Sequence, residues 1–157
     1  MGGPLTGTGL LDRRAGACPG DDLQWRMGFG QAARGLVPDT RTADVDYRLA
    51  RQCALEAFRN GTLARDLVCD AQPMLRRNAH HCGERTGEMC PICDDHELAR
   101  VVYVFGPRLP SHGRCLSVPG ELARYDARPG TFAAYTVEVC VACAWNHLVR
   151  ISSIGRG

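Results

Sequence analysis

The stretches that decide this fold are Cys90-Pro91-Ile92-Cys93 and Cys140-Val141-Ala142-Cys143, which are separated by forty-six residues. A two-residue spacer lets both thiolates of a pair point at one ion, while backbone N–H groups donate hydrogen bonds to the sulfurs. Two such pairs in one small chain are typical of a tetrahedral structural zinc site. The sequence therefore predicts one zinc ion bound by Cys90, Cys93, Cys140 and Cys143, with each pair forming a tight turn that we call a knuckle.

The length and the cysteine count limit the class of protein. A chain of 157 residues suits one compact domain, or a small domain with appendages. The sequence has no apolar run of the roughly 18 residues that a membrane-spanning helix needs, and its N-terminus does not read as a signal peptide. Nine cysteines would indicate disulfides in a secreted chain, but CxxC pairs without a signal favour reduced, metal-bound thiols. We therefore expect a cytoplasmic protein.

Charge argues against a broad nucleic-acid surface. From residue 44 onward, fourteen arginines stand against thirteen acidic residues. The net negative charge of a zinc ion with four thiolates would make this part slightly acidic. Proteins that bind nucleic acid through a wide surface carry a clear excess of positive charge instead.

The first part of the chain, residues 1–43, is rich in glycine and proline and shows little apolar periodicity. Such a composition buries too little apolar surface to offset chain entropy, so we expect a disordered extension. A second interpretation is that translation starts further in, at Met27 or Val45, and that the upstream residues are a start-site overcall.

Residues 44–84 show a helical pattern. A 3.6-residue period places six side chains on one face of a first helix: Tyr47, Ala50, Cys53, Ala54, Ala57 and Phe58. A short second helix over 63–68 and a third over 71–82 would complete a three-helix lobe. This arrangement is also typical of a helix-turn-helix, whose third helix would offer polar side chains to DNA: Gln72, Arg76, Arg77, Asn78, His80 and His81. We favour a helical cap with a solvated arginine face, which explains the same residues.

Residues 85–157 predict a zinc ribbon. Apolar and β-branched runs predict strands over 98–105, 131–139 and 146–152, and the proline- and glycine-rich stretch 107–130 is expected to be an insertion between strands. Residues 84–89 look like a loop that leads to the first knuckle. The predicted fold class is therefore α+β, with an N-terminal three-helix lobe followed by a three-stranded antiparallel zinc ribbon that carries an insertion.

From Val45 to Gly155 the chain resembles a family of small actinobacterial proteins, catalogued as a domain of unknown function with a C-terminal zinc-ribbon pattern. The resemblance rests on these motifs: Val45-Asp46-Tyr47, Val68-Cys69-Asp70-Ala71, Gly83-Glu84-x-Thr86, Cys90-Pro91-x-Cys93, Val102-Tyr103-Val104-Phe105-Gly106, and Val137-Glu138-Val139-Cys140-x-x-Cys143-x-Trp145-Asn146-His147-Leu148. It implies no established activity. Related chains have histidine before the Gly-Glu, where this chain has Cys82, so a family role for that histidine does not carry over unless His81 substitutes.

Other residues are weaker candidates for chemistry. Cys82, His96, Cys115 and His147 are further ligand candidates, and His147 could replace one cysteine in a mixed site. Four paired thiols make that replacement unnecessary. His112 lies three residues before Cys115 in the insertion, and this spacing alone does not define a nucleophile and its base.

The knuckles depart from the usual zinc ribbon, in which glycine follows the second cysteine. Asp94 and Ala144 stand at these two positions. Aspartate tolerates the left-handed conformation that a knuckle can require, but alanine does so less readily. We therefore expect some strain in the second knuckle.

The sequence favours a binding role over catalysis. Four cysteines close the coordination shell of zinc, whereas a catalytic zinc keeps one position open. We expect a non-enzymatic zinc-ribbon interaction module that docks on transcription or translation machinery, with a macromolecular partner and with neither a membrane nor a small-molecule substrate. Two alternatives stay open: direct nucleic-acid binding through the helical lobe, and a zinc-thiolate redox sensor in which Cys69, Cys82 or Cys115 pairs with an oxidised ligand.

Overall fold

The computed structural model describes residues 44–157, which form a six-stranded antiparallel sheet with four short helices on it. In chain order the elements are β1 (Val45–Asp46), α1 (Arg48–Arg59), α2 (Arg65–Val68), α3 (Pro73–Cys82), β2 (Glu84–Met89), β3 (Glu97–Phe105), β4 (Arg114–Cys115), α4 (Glu121–Asp126), β5 (Phe132–Val139) and β6 (Asn146–Ile154).

The order of strands brings the two knuckles to one end of the sheet. The strands run in the order β1-β6-β5-β3-β2, and β4 pairs with β3 as well. β3 begins where its antiparallel neighbour β5 ends, since Ala99 lies opposite Val139. The loop from β2 to β3 and the loop from β5 to β6 therefore emerge side by side, and each of these loops carries one CxxC pair.

The helices bury their apolar sides against the sheet. Leu75 and Ala79 of α3 pack with a cluster of sheet residues that includes Val101 and Val137. Because each strand has a period of two, such a sheet presents an apolar face that must be covered. Residues from α1 and α2 cover the knuckle end instead, in a second cluster: Ala54, Leu55, Leu63, Val68, Cys90, Leu98, Cys140 and Trp145.

The predicted three-helix lobe followed by a three-stranded ribbon is wrong. Helical segments occur near the predicted positions, but they cover one six-stranded sheet and do not form a lobe of their own. The amphipathic pattern of each segment showed that one face is buried, and it did not show which surface buries it. Without that lobe, the helix-turn-helix interpretation loses its structural basis.

The sheet is also wider than expected. The strands predicted over 98–105, 131–139 and 146–152 correspond to β3, β5 and β6, whereas β1, β2 and β4 were missed. β2, which was expected to be a loop, has the sequence Glu-Arg-Thr-Gly-Glu-Met and is mostly exposed. A polar edge strand gives no apolar alternation, so its pairing with β3 is invisible to pattern analysis.

The predicted extension and alternative start over residues 1–43 lie outside the described residues, and the boundaries at 44 and 85 stay predictions. Within residues 44–157, every helix falls short of the length and apolar character that crossing a bilayer requires.

Candidate metal centre

The four predicted cysteines lie together at the knuckle end of the sheet. The Sγ atoms of Cys90, Cys93, Cys140 and Cys143 all lie within 4.8 Å of one another. Cys90 Sγ is 3.5 Å from Cys143 Sγ, and Cys93 Sγ is 3.8 Å from Cys140 Sγ. In residues 44–157 this is the one group of three or more histidine, cysteine or acidic side chains that could hold a metal ion.

These distances fit a tetrahedral ion. Zinc–sulfur bonds of about 2.3 Å in tetrahedral geometry place the sulfurs about 3.8 Å apart. The contacts of Cys90 with Cys143 and of Cys93 with Cys140 lie close to that spacing. The side chains can therefore hold a small, thiophilic cation without a rearrangement of the backbone.

The two knuckles have the same backbone design. In the first, Asp94 N donates to Cys90 O at 2.9 Å, and in the second Ala144 N donates to Cys140 O at 3.0 Å. Asp94 has φ 52° and Ala144 has φ 66°, so both residues adopt the left-handed conformation. The second knuckle therefore carries the strain that its alanine predicted, since the Cβ atom disfavours this region.

Burial and backbone donors shift the pKa values of the cysteine thiols in opposite directions. Burial raises the pKa of Cys90 well above its usual range and raises that of Cys143 to about 12. Burial also acts to raise the pKa of Cys93, but the backbone N–H groups of Asp95 and His96, together with the Cys90 and Cys140 side chains, outweigh it and lower this pKa to about 7. A bound cation would stabilise all four thiolates, because a coordinating thiol is deprotonated.

A buried network of polar side chains holds the tryptophan that packs against the second knuckle. Trp145 directly follows this knuckle and is 1% exposed. Its Nε1 donates to Glu138 Oε1 at 3.0 Å, and Arg51 Nε of α1 donates to the same oxygen at 2.5 Å. His147 stacks on the Trp145 ring, with centroids 5.9 Å apart, and burial lowers the pKa of His147. This network fixes the tryptophan that packs with Cys90 and Cys140.

Residues between α2 and α3, together with Arg76 of α3, form hydrogen bonds with the second knuckle and with the start of β6. Ala71 N donates to Ala144 O at 3.0 Å, and Asn146 Nδ2 donates to Asp70 Oδ1 at 2.8 Å. Arg76 donates from Nε and Nη2 to Val141 O, at 3.1 and 2.6 Å. Arg76 is exposed, as expected for the solvated arginine face, and its guanidinium in addition binds the backbone of the second knuckle.

The sequence identified Cys69 only as a possible disulfide partner, and it gave no sign of the pairing of Arg51 with Glu138. Cys69, directly after α2, packs against the cluster of knuckle residues; burial raises its pKa, while the neighbouring Cys143 side chain acts to lower it. Arg51 and Glu138 are 87 residues apart, so no local spacing could pair them.

The weaker ligand candidates lie away from the four sulfurs. His96 is exposed and pairs with Asp95 at 3.1 Å, although its carbonyl accepts from Cys90 N. Nδ1 of His147 lies 2.7 Å from Leu148 O. Cys82 ends α3 and Cys115 ends β4, and neither belongs to the four-sulfur cluster.

The fold and the site define a class: an antiparallel sheet protein with a four-cysteine cluster that could hold a metal ion. The chain belongs to a family described as "Family of unknown function (DUF5318)", whose model matches residues 39–157. The predicted membership of an uncharacterised actinobacterial family is thus confirmed.

Similar curated proteins are mycobacterial. The chain is 37% identical over 111 residues to "Uncharacterized protein Rv0049" of Mycobacterium tuberculosis, and equally to "Uncharacterized protein Mb0050" of Mycobacterium bovis. The match covers 71% of this chain and 81% of each relative. No solved structure matches the chain.

Proposed function

We propose that this protein is a non-enzymatic binding module whose knuckle end is held by one structural zinc ion on Cys90, Cys93, Cys140 and Cys143. The observation that carries the proposal is the closed set of four thiols within 4.8 Å. Four thiolates fill a tetrahedral shell and leave no position for a substrate or an activated water. The ion therefore has a structural role.

Burial supports a structural role for the ion. Cys90 and Cys140 are 0% exposed, and Trp145 at 1% packs with them. Reactive metal centres need access for a substrate, whereas these sulfurs lie under α1 and α2. The ion would join two loops that are distant in sequence, and its binding free energy would add to the stability of the fold.

Charge supports a protein partner over nucleic acid. Fourteen arginines and thirteen acidic residues nearly balance from residue 44 onward, and several of these arginines are paired. Nucleic-acid binding through a neutral surface lacks the counterion release that provides most of its affinity. An assembly of the transcription or translation machinery is the host we propose, with contact through its protein components.

The test of the metal is elemental analysis of the purified protein and of matched cysteine variants. Cys143→Ser should lower zinc content strongly and destabilise the knuckle end, because only three thiolates would remain to bind the ion. Cys115→Ser is the matched control, since its thiol lies outside the four-sulfur cluster, and it should retain zinc. Full zinc retention in Cys143→Ser, or equal loss in the control, would overturn the site.

The test of the partner is affinity capture from native lysate with and without nuclease, followed by titration of purified candidates. A protein that is captured after nuclease treatment and binds with little salt dependence supports the module. Capture that disappears with nuclease, or affinity that falls steeply with salt, would replace it with nucleic-acid binding.

A second candidate function is a zinc-thiolate redox sensor, which the contact between Cys69 and Cys143 favours. In this role a hydroperoxide would oxidise the Cys143 thiolate to a sulfenate and be reduced to the alcohol. Cys69 would then displace water from the sulfenic acid to form a disulfide, and zinc would leave. Peroxide-driven zinc release that is fast in the wild type and slow in Cys69→Ser would support it, and equal rates would refute it.

A further inference from the structure

Two short strands lie end to end along the same edge of β3. Glu84, the first residue of β2, faces Arg100, and Cys115, the last residue of β4, faces Tyr103. Both strands are antiparallel to β3, so β4 ends close to where β2 begins. Cys82 lies two residues before β2, and the topology therefore brings it next to Cys115.

The end of α3 holds Cys82 in this place. Asn78, one helical turn earlier and so on the same side of α3, donates from Nδ2 to the Tyr103 hydroxyl at 2.8 Å. Gly83 lies so close to the sheet that an added Cβ would be 2.9 Å from Ala99 Cβ. The helix end is thus fixed over β3, and only glycine permits this approach.

The two thiols are neighbours and are both reduced. Cys82 and Cys115 are free, half-buried cysteines, and they lie close enough for their thiols to interact electrostatically. Cys115 Sγ also lies 3.8 Å from Leu116 O. Burial, followed by the neighbouring Cys82, raises the pKa of Cys115 to about 11.

We propose that Cys82 and Cys115 are a redox-active dithiol, separate from the metal centre, that closes to a disulfide by exchange with small-molecule disulfides. The proposal rests on the end-to-end placement of β2 and β4 along β3, on the fixed end of α3 and on two free thiols at neighbouring positions of this edge.

The exchange takes place in two balanced steps. The Cys82 thiol loses its proton to solvent, and its sulfur attacks one sulfur of the small disulfide, which forms a mixed disulfide and releases one small thiolate. The Cys115 thiolate then attacks the Cys82 sulfur, forms the intramolecular disulfide and releases the second small thiolate. Each protein thiol loses one proton, and these two protons bind to the two released thiolates to give two small thiols. The cysteine pair has lost two electrons, and the small disulfide has gained them.

The environment of the two thiols assigns these roles. Cys115 is a poor first nucleophile, because its raised pKa leaves little thiolate to meet a disulfide from solution. Once a mixed disulfide forms on Cys82, proximity gives Cys115 a high effective concentration that compensates for the small thiolate fraction. Cys82 is therefore the attacking thiol and Cys115 the resolving thiol.

Closing the pair would join the end of α3 to the insertion between β3 and β5. The closed loop would run from residue 82 to residue 115 and would contain the first knuckle, with Cys90 and Cys93. The disulfide would therefore restrain one half of the metal centre without using any of its ligands.

The experiment exposes zinc-loaded full-length protein to buffers of reduced and oxidised glutathione, then blocks free thiols with an alkylating agent and maps peptides by mass spectrometry. The wild type should form the disulfide between Cys82 and Cys115 and keep its zinc. Cys115→Ser should accumulate glutathione on Cys82, whereas Cys82→Ser should leave Cys115 largely unmodified. Cys69→Ser is the control and should behave like the wild type.

Three outcomes would overturn the proposal. The wild type could keep both thiols reduced at every glutathione ratio, or it could stop at the mixed disulfide without closing. A disulfide that joins Cys82 or Cys115 to one of the four cluster cysteines would also refute it. Circular dichroism and zinc content, measured on every variant, show that the substitutions preserve the fold before the exchange is compared.

Discussion

Replacement of Arg51 by alanine should destabilise the protein far more than the loss of a surface arginine. Arg51 Nε donates a 2.5 Å hydrogen bond to Glu138, whose side chain is only 7% exposed. The substitution leaves this carboxylate buried, with the Trp145 N–H as its donor. Removing one partner of a buried ion pair costs about 3–5 kcal/mol. The Arg51 side chain is 23% exposed, so the pair is partly solvated, and we expect a loss of about 2–3 kcal/mol.

Guanidinium unfolding of zinc-loaded protein, followed by far-ultraviolet circular dichroism, measures this loss. A change of about 2–3 kcal/mol corresponds to a decrease in Tm of about 5–10 °C for a chain of this size. Arg59→Ala is the matched control, because Arg59 is exposed in the last turn of the same helix. Its effect should stay within about 0.5 kcal/mol.

A double variant separates charge from packing. Glu138→Gln removes the charge but keeps a side-chain oxygen that can accept the Trp145 N–H. In that background Arg51→Ala should cost at least about 1 kcal/mol less than it does in the wild type, because no buried charge is left unpaired. The reasoning is refuted if Arg51→Ala costs the same in both backgrounds, or no more than Arg59→Ala.

Three further predictions concern the second knuckle and its support. Ala144→Gly should stabilise zinc-loaded protein by about 0.5–1 kcal/mol in thermal unfolding, because alanine is strained at φ 66°; a loss of stability would contradict this. Arg76→Ala should lower the free energy of unfolding by about 1 kcal/mol, because its hydrogen bonds to Val141 O are lost. Arg77→Ala should change it by less than about 0.5 kcal/mol, and equal effects would show that the contacts of Arg76 do not stabilise the knuckle. Burial lowers the pKa of His147, so its contribution to stability is complete above the unfolded pKa of about 6.5 and is lost as the pH falls below that value. The wild type should therefore lose more stability than His147→Asn on acidification from about pH 7.5 to 5.5, and parallel losses would contradict this.

The features that sequence analysis predicted depend on short spacings. The CxxC pairs identified Cys90, Cys93, Cys140 and Cys143, and the structure brings these four together. The β-rich runs identified β3, β5 and β6 to within two residues of their ends. Each of these patterns spans about ten residues or fewer, so the side-chain period of a strand or the spacing of two ligands can be recognised in the sequence itself.

The features that it missed depend on contacts between distant parts of the chain. β2 is polar because it is an exposed edge, so only its hydrogen bonds to β3 identify it as a strand. The covering of the sheet by α1 and α3 follows from tertiary packing, which amphipathicity alone leaves open. The pairing of Arg51 with Glu138 and the contact of Cys69 with Cys143 likewise appear only once the sheet is assembled.

The meeting of the two knuckles at one end of the sheet has a consequence for the order of folding. The CxxC pairs lie on different hairpins, and they come together only when β3 pairs with β5 across the insertion. Closing a loop of this length is entropically unfavourable before its contacts form, and non-local strand pairing is slow. We therefore expect the ion to be captured late, by a sheet that has already paired. If so, excess zinc in refolding experiments should slow unfolding while leaving the folding rate nearly unchanged, and a folding rate that rises with zinc concentration would show early capture instead.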